Sequence, residues 1–106
     1  MNAFPPSDFV SRRHLFEFWA KHPETKTSLQ HWLSVAKAAK WTSMPAVVKT
    51  FTKAKKLNGE RARFEVAGGN YRMVVAFNFK RAIAFVKFIG THKEYDKIDA
   101  LKVSKY

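Results

Sequence analysis

Residues 61–89 read RARFEVAGGNYRMVVAFNFKRAIAFVKFI and alternate apolar segments with two runs of turn-forming residues. At the start of this stretch Arg and Glu alternate with Ala, Phe and Val, which is the two-residue period of a half-buried strand. Glycine and asparagine in the first turn accept positive φ, as a tight hairpin requires. The predicted strands span residues 61–66, 71–77 and 82–89, and the predicted turns span residues 68–70 and 78–81. Gly90 is expected to end the third strand, so this stretch forms an antiparallel meander.

Helical periodicity precedes the strands. Between Leu29 and Ala36, apolar residues recur at the i, i+3, i+4, i+7 spacing of one helix face. The predicted helices run from about Ser11 to the residue before Pro23, from Thr25 to about Lys40, and from Ser43 to about Phe51. Residues 1–7 are expected to form an extended lead-in, followed by a short extended piece at residues 8–10. We therefore predict one α+β domain over residues 1–106, with N-terminal helices packed on one face of a small twisted antiparallel sheet.

The two-residue period also predicts which side chains share a face of the sheet. The face expected to seat the helices carries Phe64, Val66, Tyr71, Met73, Val75, Phe77, Val86 and Phe88. The opposite face carries Arg61, Arg63, Glu65, Arg72, Val74, Ile83, Phe85 and Lys87. Arg72 and Lys87 are expected nearly opposite each other on neighbouring strands, where like charges repel. This pair predicts a site for an anion; the alternative is that Glu65 and solvent compensate the charges.

The chain is strongly basic, with a formal net charge of +12 from 20 Lys and Arg against 8 Asp and Glu. Such an excess adds self-repulsion rather than folding stability, which favours a polyanionic partner. The segment between Glu24 and Glu60 has no carboxylate and contains Lys26, Lys37, Lys40, Lys49, Lys53, Lys55 and Lys56. It is interpreted either as a solvated basic surface or as a surface for nucleic acid or an acidic protein. RNA is the leading expectation, because counterions released from neutralised phosphates add affinity.

Several function classes lack the residues they need. The chain has no cysteine, which excludes disulfides, thiolate zinc sites and cysteine nucleophiles. Gly68 and Gly69 lie between two predicted strands rather than before a helix, which excludes a phosphate-binding glycine loop. The four histidines are scattered and the carboxylates lack metal-ligand spacing, so no metal and no cofactor are expected. Without a membrane-spanning apolar run or a signal pattern, the protein is expected in the cytoplasm.

A cluster of acids, bases and cations follows the third predicted strand. It consists of His92, Lys93, Glu94, Tyr95 and Asp96. A metal-free ribonuclease needs one group to take the 2′-hydroxyl proton, another to protonate the leaving 5′-oxygen, and cations beside the phosphate. Histidine suits both proton transfers because it titrates near neutral pH, and tyrosine or lysine beside cations can replace it. The cluster is therefore a candidate catalytic site, although Tyr95 and Asp96 also fit a cap that pins the C-terminal segment.

Motifs in both halves of the chain carry a family resemblance. In the strand region they are Arg63-Phe64, GNYRMVV at residues 69–75, FIGTH at residues 88–92 and EYDKID at residues 94–99. Earlier positions are Arg13, Lys21-His22-Pro23, Trp32, Lys37, Ala39 and Trp41. Together they resemble the HigB family of bacterial toxins, within the RelE-like superfamily, over residues 8–99. THKEYDKID, residues 91–99, is the most specific part.

The resemblance implies a small α+β fold and a ribosome-dependent mRNA endonuclease that needs no metal and acts through the 2′-hydroxyl. It also implies a HigA-type helix-turn-helix antitoxin, through which alone the toxin reaches operator DNA. By the same resemblance Arg72 holds the scissile phosphate and Lys87 stabilises transition-state charge. His92 and Tyr95 are the acid–base candidates, with Lys93 as a substitute. The expected RNA contacts are Arg61, Arg63, Lys80, Arg81 and Lys93.

Two other functions fit the same basic surface. A non-catalytic RNA- or ribosome-binding module would bind in a salt-sensitive way without producing new RNA ends. A protein whose basic surface mainly docks an acidic antitoxin would lose charge on complex formation without competing with RNA. Formation of new RNA ends distinguishes the endonuclease from both.

Overall fold

The computed structural model describes residues 12–39 and 41–106. The helices are α1 (Arg12–Lys21), α2 (Lys26–Ala38), α3 (Met44–Thr50) and α4 (His92–Tyr95), with a 3-10 turn at Pro23–Thr25. The strands are β1 (Lys55–Lys56), β2 (Arg61–Val66), β3 (Tyr71–Asn78) and β4 (Ile83–Thr91). The extended pieces expected at residues 1–7 and 8–10, the helix start at Ser11, and Lys40 lie outside the described residues. The predicted α+β class is confirmed.

The N-terminal helices follow the predicted periodicity. The apolar residues that define the face of α2 are all buried, namely Leu29, Trp32, Leu33 and Ala36. Before α2, the buried Thr25 hydroxyl donates to the carbonyl of His22 at 2.7 Å, which fixes the turn after α1. Pro45 lies in the first turn of α3, where its missing N–H removes no helical hydrogen bond.

The four strands form one antiparallel sheet in the order β1-β2-β3-β4. Its main core contains Leu15, Leu29, Trp32, Leu33, Ala36, Met44 and Val47 from the helices and Ala62, Phe64, Val66, Met73, Val75, Phe77, Ala84, Val86 and Ile89 from the strands. We call this side of the sheet the helix-covered face. The other side, the outer face, carries Arg61, Arg63, Glu65, Arg72, Val74 and Phe88. The prediction that the helices pack on one face is confirmed.

The edge strand β1 is absent from the sequence prediction. Lys55 pairs with Arg63 and Lys56 with Ala62, and both lysine side chains are exposed. Two consecutive exposed lysines carry no hydrophobic period, so no pattern marks them as a strand. Lysine on a short edge strand discourages pairing with a strand of another chain.

Two predictions, one about the first turn and one about the end of β4, are wrong in detail. The turn predicted at residues 68–70 has positive φ at residues 67–69 (53°, 70° and 94°), whereas φ of Asn70 is −65°. The left-handed conformation therefore begins at Ala67, one residue before the predicted turn. Gly90 does not end β4, which continues through Thr91, because the backbone of Gly90 still pairs with β3.

A β-bulge interrupts the pairing of β3 with β4. Val75 pairs with Val86, and the preceding residue Val74 pairs with Phe88. Lys87 is therefore an extra residue between two paired positions. A bulge of this kind shifts the alternation of side chains along the strand by one residue.

The shift corrects two predictions about the sheet faces. Phe88 lies on the outer face, opposite Val74, and not on the helix-covered face where regular alternation places it. Gly90, and not Lys87, lies opposite Arg72. The predicted pairing of Arg72 with Lys87 is therefore wrong.

The C-terminal segment, residues 97–106, covers part of the outer face. Val74 and Phe88 are only 0% and 4% exposed, although they lie outside the main core. The N–H of Lys105 donates to the carbonyl of Lys87 at 2.9 Å, and the Lys105 ammonium lies 5.9 Å from the centre of the Phe88 ring. The outer face is therefore a partly covered surface with basic groups at its margins.

Candidate functional site

Arg72 is the central cation of the outer face. It pairs with Glu65 on β2 and with Gly90 on β4, and its side chain is half-buried. Its Nε is buried and has no hydrogen-bond partner among the described residues. The Glu65 carboxylate lies instead 3.7 Å from Nη2 of Arg63. Arg72 thus makes no ion pair among the described residues, which leaves its charge available to an anion.

Gly90 makes room for the side chains around Arg72. A Cβ on this residue would lie 2.6 Å from Cζ of Phe88 and 2.9 Å from Oε1 of Glu94. The Phe88 ring in turn lies 6.3 Å from the ring of Tyr95, at an interplanar angle of 54°. The half-buried Tyr95 is thereby held against the outer face, at the end of the sheet where Arg72 lies.

A capping box fixes the start of α4. The N–H of Glu94 donates to Oγ1 of Thr91 at 3.1 Å, and the N–H of Thr91 donates to Oε1 of Glu94 at 2.8 Å. The backbone hydrogen bond from Thr91 holds the pKa of the Glu94 carboxyl below its ordinary value of 4.5. The N–H of His92 donates to the carbonyl of Asn70 at 3.0 Å, which joins α4 to the start of β3. These bonds position a short helix that has little intrinsic stability.

His92 is the exposed acid–base candidate of the site. Its Nε2 lies 3.6 Å from Oδ1 of Asp96, one helical turn away, and both side chains are more than half exposed. The N–H of His92 donates to Asn70, which lies two residues before Arg72, so the backbones of His92 and Arg72 are within about 7 Å along the strand, at the same end of the sheet. The structure thus brings Arg72, His92 and Tyr95 to one end of the outer face.

Lys87 lies outside this group. As the bulged residue it lies between the levels of Val74 and Val75, about 7–10 Å along the sheet from Arg72. Its ammonium lies 5.4 Å from the centre of the Phe85 ring, toward the turn between β3 and β4. The position of Lys87 favours a contact with a more distant part of a bound anion.

Arg61 is engaged by the chain itself. Its Nη1 donates to the carbonyls of Ala100 and Val103, at 3.0 and 2.8 Å. These bonds fasten the C-terminal segment to β2. A contact of Arg61 with RNA would therefore have to replace its hydrogen bonds to Ala100 and Val103.

The remaining predicted RNA contacts differ in accessibility. Arg63 is half-buried, and its Nε is buried without a hydrogen-bond partner among the described residues. Lys80 and Arg81 are exposed in the turn between β3 and β4, where Oδ1 of Asn78 accepts from the N–H of Arg81 at 3.1 Å. Lys93 is exposed on α4. Their contacts with RNA remain predictions.

A second polar cluster, not anticipated from the sequence, lies on the opposite side of the sheet. The Tyr71 hydroxyl donates to Oε2 of Glu24 and lies 3.5 Å from Nδ1 of His22. This hydrogen bond lowers the pKa of the Glu24 carboxyl and raises the pKa of the Tyr71 phenol. The cluster ties the turn before α2 to β3. The partners are 47 residues apart, and no sequence pattern links them.

Residues 12–39 and 41–106 contain no group of three or more His, Asp or Glu side chains placed to hold a metal ion. Within the same ranges no helix has the length and apolarity needed to cross a bilayer.

One family model matches most of the chain. It is that of the HigB toxin, described as the RelE-like toxic component of a toxin–antitoxin system, and it matches residues 25–98. The match includes α2, α3, strands β1 to β4 and α4, but not α1 or residues 99–106. No curated protein matches the chain.

Proposed function

The chain belongs to the HigB toxin family of RelE-like toxic components of toxin–antitoxin systems, and from this we propose that it is an endoribonuclease that cuts mRNA on the ribosome. One observation supports the proposal above the others. The half-buried Arg72 makes no ion pair among the described residues and lies at the same end of the sheet as His92 and Tyr95. A cation beside two proton-transfer groups is the minimum for metal-free phosphodiester cleavage.

In the proposed reaction the 2′-oxygen attacks the neighbouring phosphorus, and the bond from phosphorus to the 5′-oxygen breaks. The 2′-hydroxyl proton passes to a base and the leaving 5′-oxygen takes a proton from an acid, which leaves a 2′,3′-cyclic phosphate and a 5′-hydroxyl. Arg72 holds the phosphate and stabilises its developing charge. His92 and Tyr95 share the proton transfers, and Asp96, 3.6 Å from His92, stabilises the imidazolium that forms when His92 accepts a proton.

The basic surface also supports the proposed partners. We propose that mRNA is bound on the ribosome in the bacterial cytoplasm, and that a HigA-type antitoxin neutralises the toxin. Lysines without an ion pair among the described residues, such as Lys53, Lys55 and Lys56, fit either ribosomal RNA or an acidic antitoxin segment. Lys87 and the exposed Lys80, Arg81 and Lys93 are proposed to contact the RNA backbone.

Site variants test the proposal. In a translating extract, Arg72→Ala and His92→Ala should each lower the rate of mRNA cleavage about 100-fold or more, as expected for loss of a phosphate ligand or an acid–base group. His31→Ala is the matched control, since this side chain is exposed on α2, the helix that packs on the helix-covered face. Cleavage is measured by primer extension and folding by thermal unfolding. Folded Arg72→Ala and His92→Ala variants that cleave like the parent would contradict the site.

The covered outer face gives a specific reason to keep the non-catalytic alternative. Arg61 is bound by the C-terminal segment, and Lys87 lies away from Arg72, so fewer cations converge on one phosphate than the sequence predicts. An RNA-binding module would protect mRNA on the ribosome without new ends. Primer extension with the parent protein separates the two functions.

A further inference from the structure

The turn between β3 and β4 borders a pocket of about 420 Å³ at the end of the sheet away from α4. Its volume is in the range of about 300–1,000 Å³ found for small-molecule sites. Phe79 and Phe85 supply aromatic walls, and Asn78, Lys80 and Glu60 supply polar groups. This combination lies outside the group of Arg72, His92 and Tyr95.

We propose that this pocket binds one nucleobase of single-stranded RNA, preferring a base with an amino group over uracil. The proposal rests on the proposed function, because it takes RNA as the natural target. It adds a recognition site for a base located away from the scissile phosphate.

The aromatic walls are suited to base stacking. Phe79 is stacked on Phe77 with ring centres 5.4 Å apart and planes inclined by 5°, so its orientation is fixed by the core. Phe85 is half-buried on the outer-face side, where it pairs with Ala76. Stacking on aromatic side chains is a common way for proteins to hold bases of single strands.

Cations surround the aromatic walls. Lys80 lines the pocket, and the Lys87 ammonium lies 5.4 Å from the centre of the Phe85 ring. Within residues 12–39 and 41–106 the ion pairs all have arginine or histidine as the cation, so neither lysine is neutralised by a carboxylate. Two uncompensated ammonium groups are therefore available to the phosphates on either side of the bound base.

The polar groups select for the edge of a base rather than for a phosphate. The Glu60 carboxylate is exposed, makes no ion pair among the described residues, and would repel a phosphate. It can accept hydrogen bonds from the amino group of adenine, cytosine or guanine. Oδ1 of Asn78 accepts from the backbone of Arg81, which leaves the Asn78 amide N–H groups free to donate to a ring acceptor.

The pocket and the cluster at α4 are compatible with one RNA strand. Phe85 pairs with Ala76 and Gly90 pairs with Arg72, and these partners are four residues apart on β3, about 13 Å at the rise of a strand. Lys87 lies between them. A single strand that places its scissile phosphate at Arg72 can therefore place a base a few nucleotides away in the pocket.

The test uses the folded full chain and a short fluorescein-labelled 2′-O-methyl oligoadenylate, which cannot be cut by 2′-hydroxyl attack. Phe85→Leu keeps an apolar side chain but removes the ring, and should raise the Kd measured by fluorescence anisotropy about tenfold. Phe16→Leu is the matched control, because Phe16 is a 43% exposed ring on α1, and it should leave the Kd unchanged. The same RNA with abasic positions should bind the parent about tenfold more weakly and should not respond to Phe85→Leu. Glu60→Gln should reduce the preference for oligoadenylate over oligouridylate.

Equal affinity of Phe85→Leu and the parent for the intact RNA overturns the proposal, as does an equal loss in Phe16→Leu. Abasic RNA that binds the parent as tightly as intact RNA overturns it without any protein variant. Retained RNA binding with lost antitoxin binding in Phe85→Leu would show that the pocket docks a protein instead. Primer extension in a translating extract is read in parallel. Normal cleavage with no dependence on Phe85 refutes the pocket alone, and Phe85-dependent binding without cleavage refutes the nuclease alone.

Discussion

At the scale of single residues, the outer face near Arg72 depends on the missing side chain of Gly90. The Phe88 ring and the Glu94 carboxylate both occupy the space that a Cβ at this position would need. One of these groups contacts Tyr95 and the other caps α4. Gly90 is therefore required by close packing, since its φ is not in the left-handed region.

Gly90→Ala is expected to lower the free energy of unfolding by about 1–3 kcal/mol, because the added methyl group forces the Phe88 ring out of place. Chemical denaturation measures the change. Gly59→Ala is the matched control, since nothing lies within 4 Å of a Cβ at that exposed position, and it should change stability by less than about 0.5 kcal/mol. Equal stability of the two variants would show that the ring and carboxylate adjust freely.

The sequence predicts the wrong positions for Lys87 and Phe88, because the hydrophobic pattern around them does not reveal the β-bulge. Apolar residues stand on both sides of Lys87, so a strand with or without a bulge there has the same hydrophobic appearance. The bonds from Arg61 to the C-terminal segment could not be predicted from the sequence, because their acceptors are backbone carbonyls, which every residue has. The prediction that Arg72 lies on the outer face is confirmed, because the alternation of β2 and β3 is unbroken.

At the scale of elements, the outer face is bounded by two short pieces held by polar bonds rather than by a large core. The helix α4 is fixed by its capping box and by the bond from His92 to Asn70. The C-terminal segment is fixed by the guanidinium of Arg61 and by backbone bonding at Lys87. Such elements open at lower free energy than the sheet beneath them.

Arg61→Met should release the C-terminal segment while keeping a long apolar stem. The loss of two charge-assisted hydrogen bonds is expected to cost about 2 kcal/mol locally. Hydrogen exchange should rise at residues 97–106 and remain unchanged in β2. Arg81→Met provides the control, because that side chain is exposed in a turn and should not alter exchange in the segment.

The anchoring of α4 should depend on pH. The pKa of Glu94 is lowered by the Thr91 N–H, so this cap adds stability above its ordinary pKa of 4.5 and loses it as the pH falls below that value. The lowered pKa of Glu24, caused by the Tyr71 hydroxyl, acts in the same direction. Glu94→Gln should therefore reduce the difference in stability between pH 7 and pH 3 measured by urea unfolding. Glu17→Gln, which removes an exposed carboxylate of α1 without a cap, should reduce it less.

Helices and strands whose hydrophobic pattern repeats several times could be predicted from the sequence, and elements without a repeating pattern could not. The α2 helix and strands β2, β3 and β4 each repeat their pattern often enough to be recognised. The two lysines of β1 and the mixed residues of the C-terminal segment repeat nothing, and only their partners in the fold give them a defined position.

At the scale of the whole molecule, the charge of +12 is largely left uncompensated by internal contacts. Among the described residues the ion pairs use only arginine and histidine, and they lie mostly at exposed positions. Exposed pairs of this kind contribute little to stability. Most of the lysine charge is therefore available to a polyanion.

Binding to single-stranded RNA should weaken steeply with salt. Each neutralised phosphate contributes about −0.7 to the slope of log K against log salt concentration. Lys80→Ala should make that slope shallower by about 0.7, whereas His31→Ala, which removes an exposed side chain of α2, should leave it unchanged. Anisotropy titrations at several salt concentrations measure both slopes. A slope near zero for the parent would argue against a phosphate-binding surface.

The fold class followed from the order of helical and alternating segments, and the family from motifs that span most of the chain. The site was only partly predictable. Arg72 and the residues of α4 come together because they are near in register, but the cover over the outer face depends on contacts between β2 and the C-terminal segment, about 40 residues apart. Contacts at that separation leave no local signal.

The bulge in β4 makes Lys87 a residue that the sheet itself does not require. The pairs Val75–Val86 and Val74–Phe88 would both persist if this one residue were deleted, and every other side chain would keep its face. A relative could thus gain or lose a cation on this surface by the insertion or deletion of a single codon. Relatives should therefore be compared by the length of this strand rather than by the type of residue at one position. A one-residue gap after Val86 in an alignment would indicate a strand without the bulge.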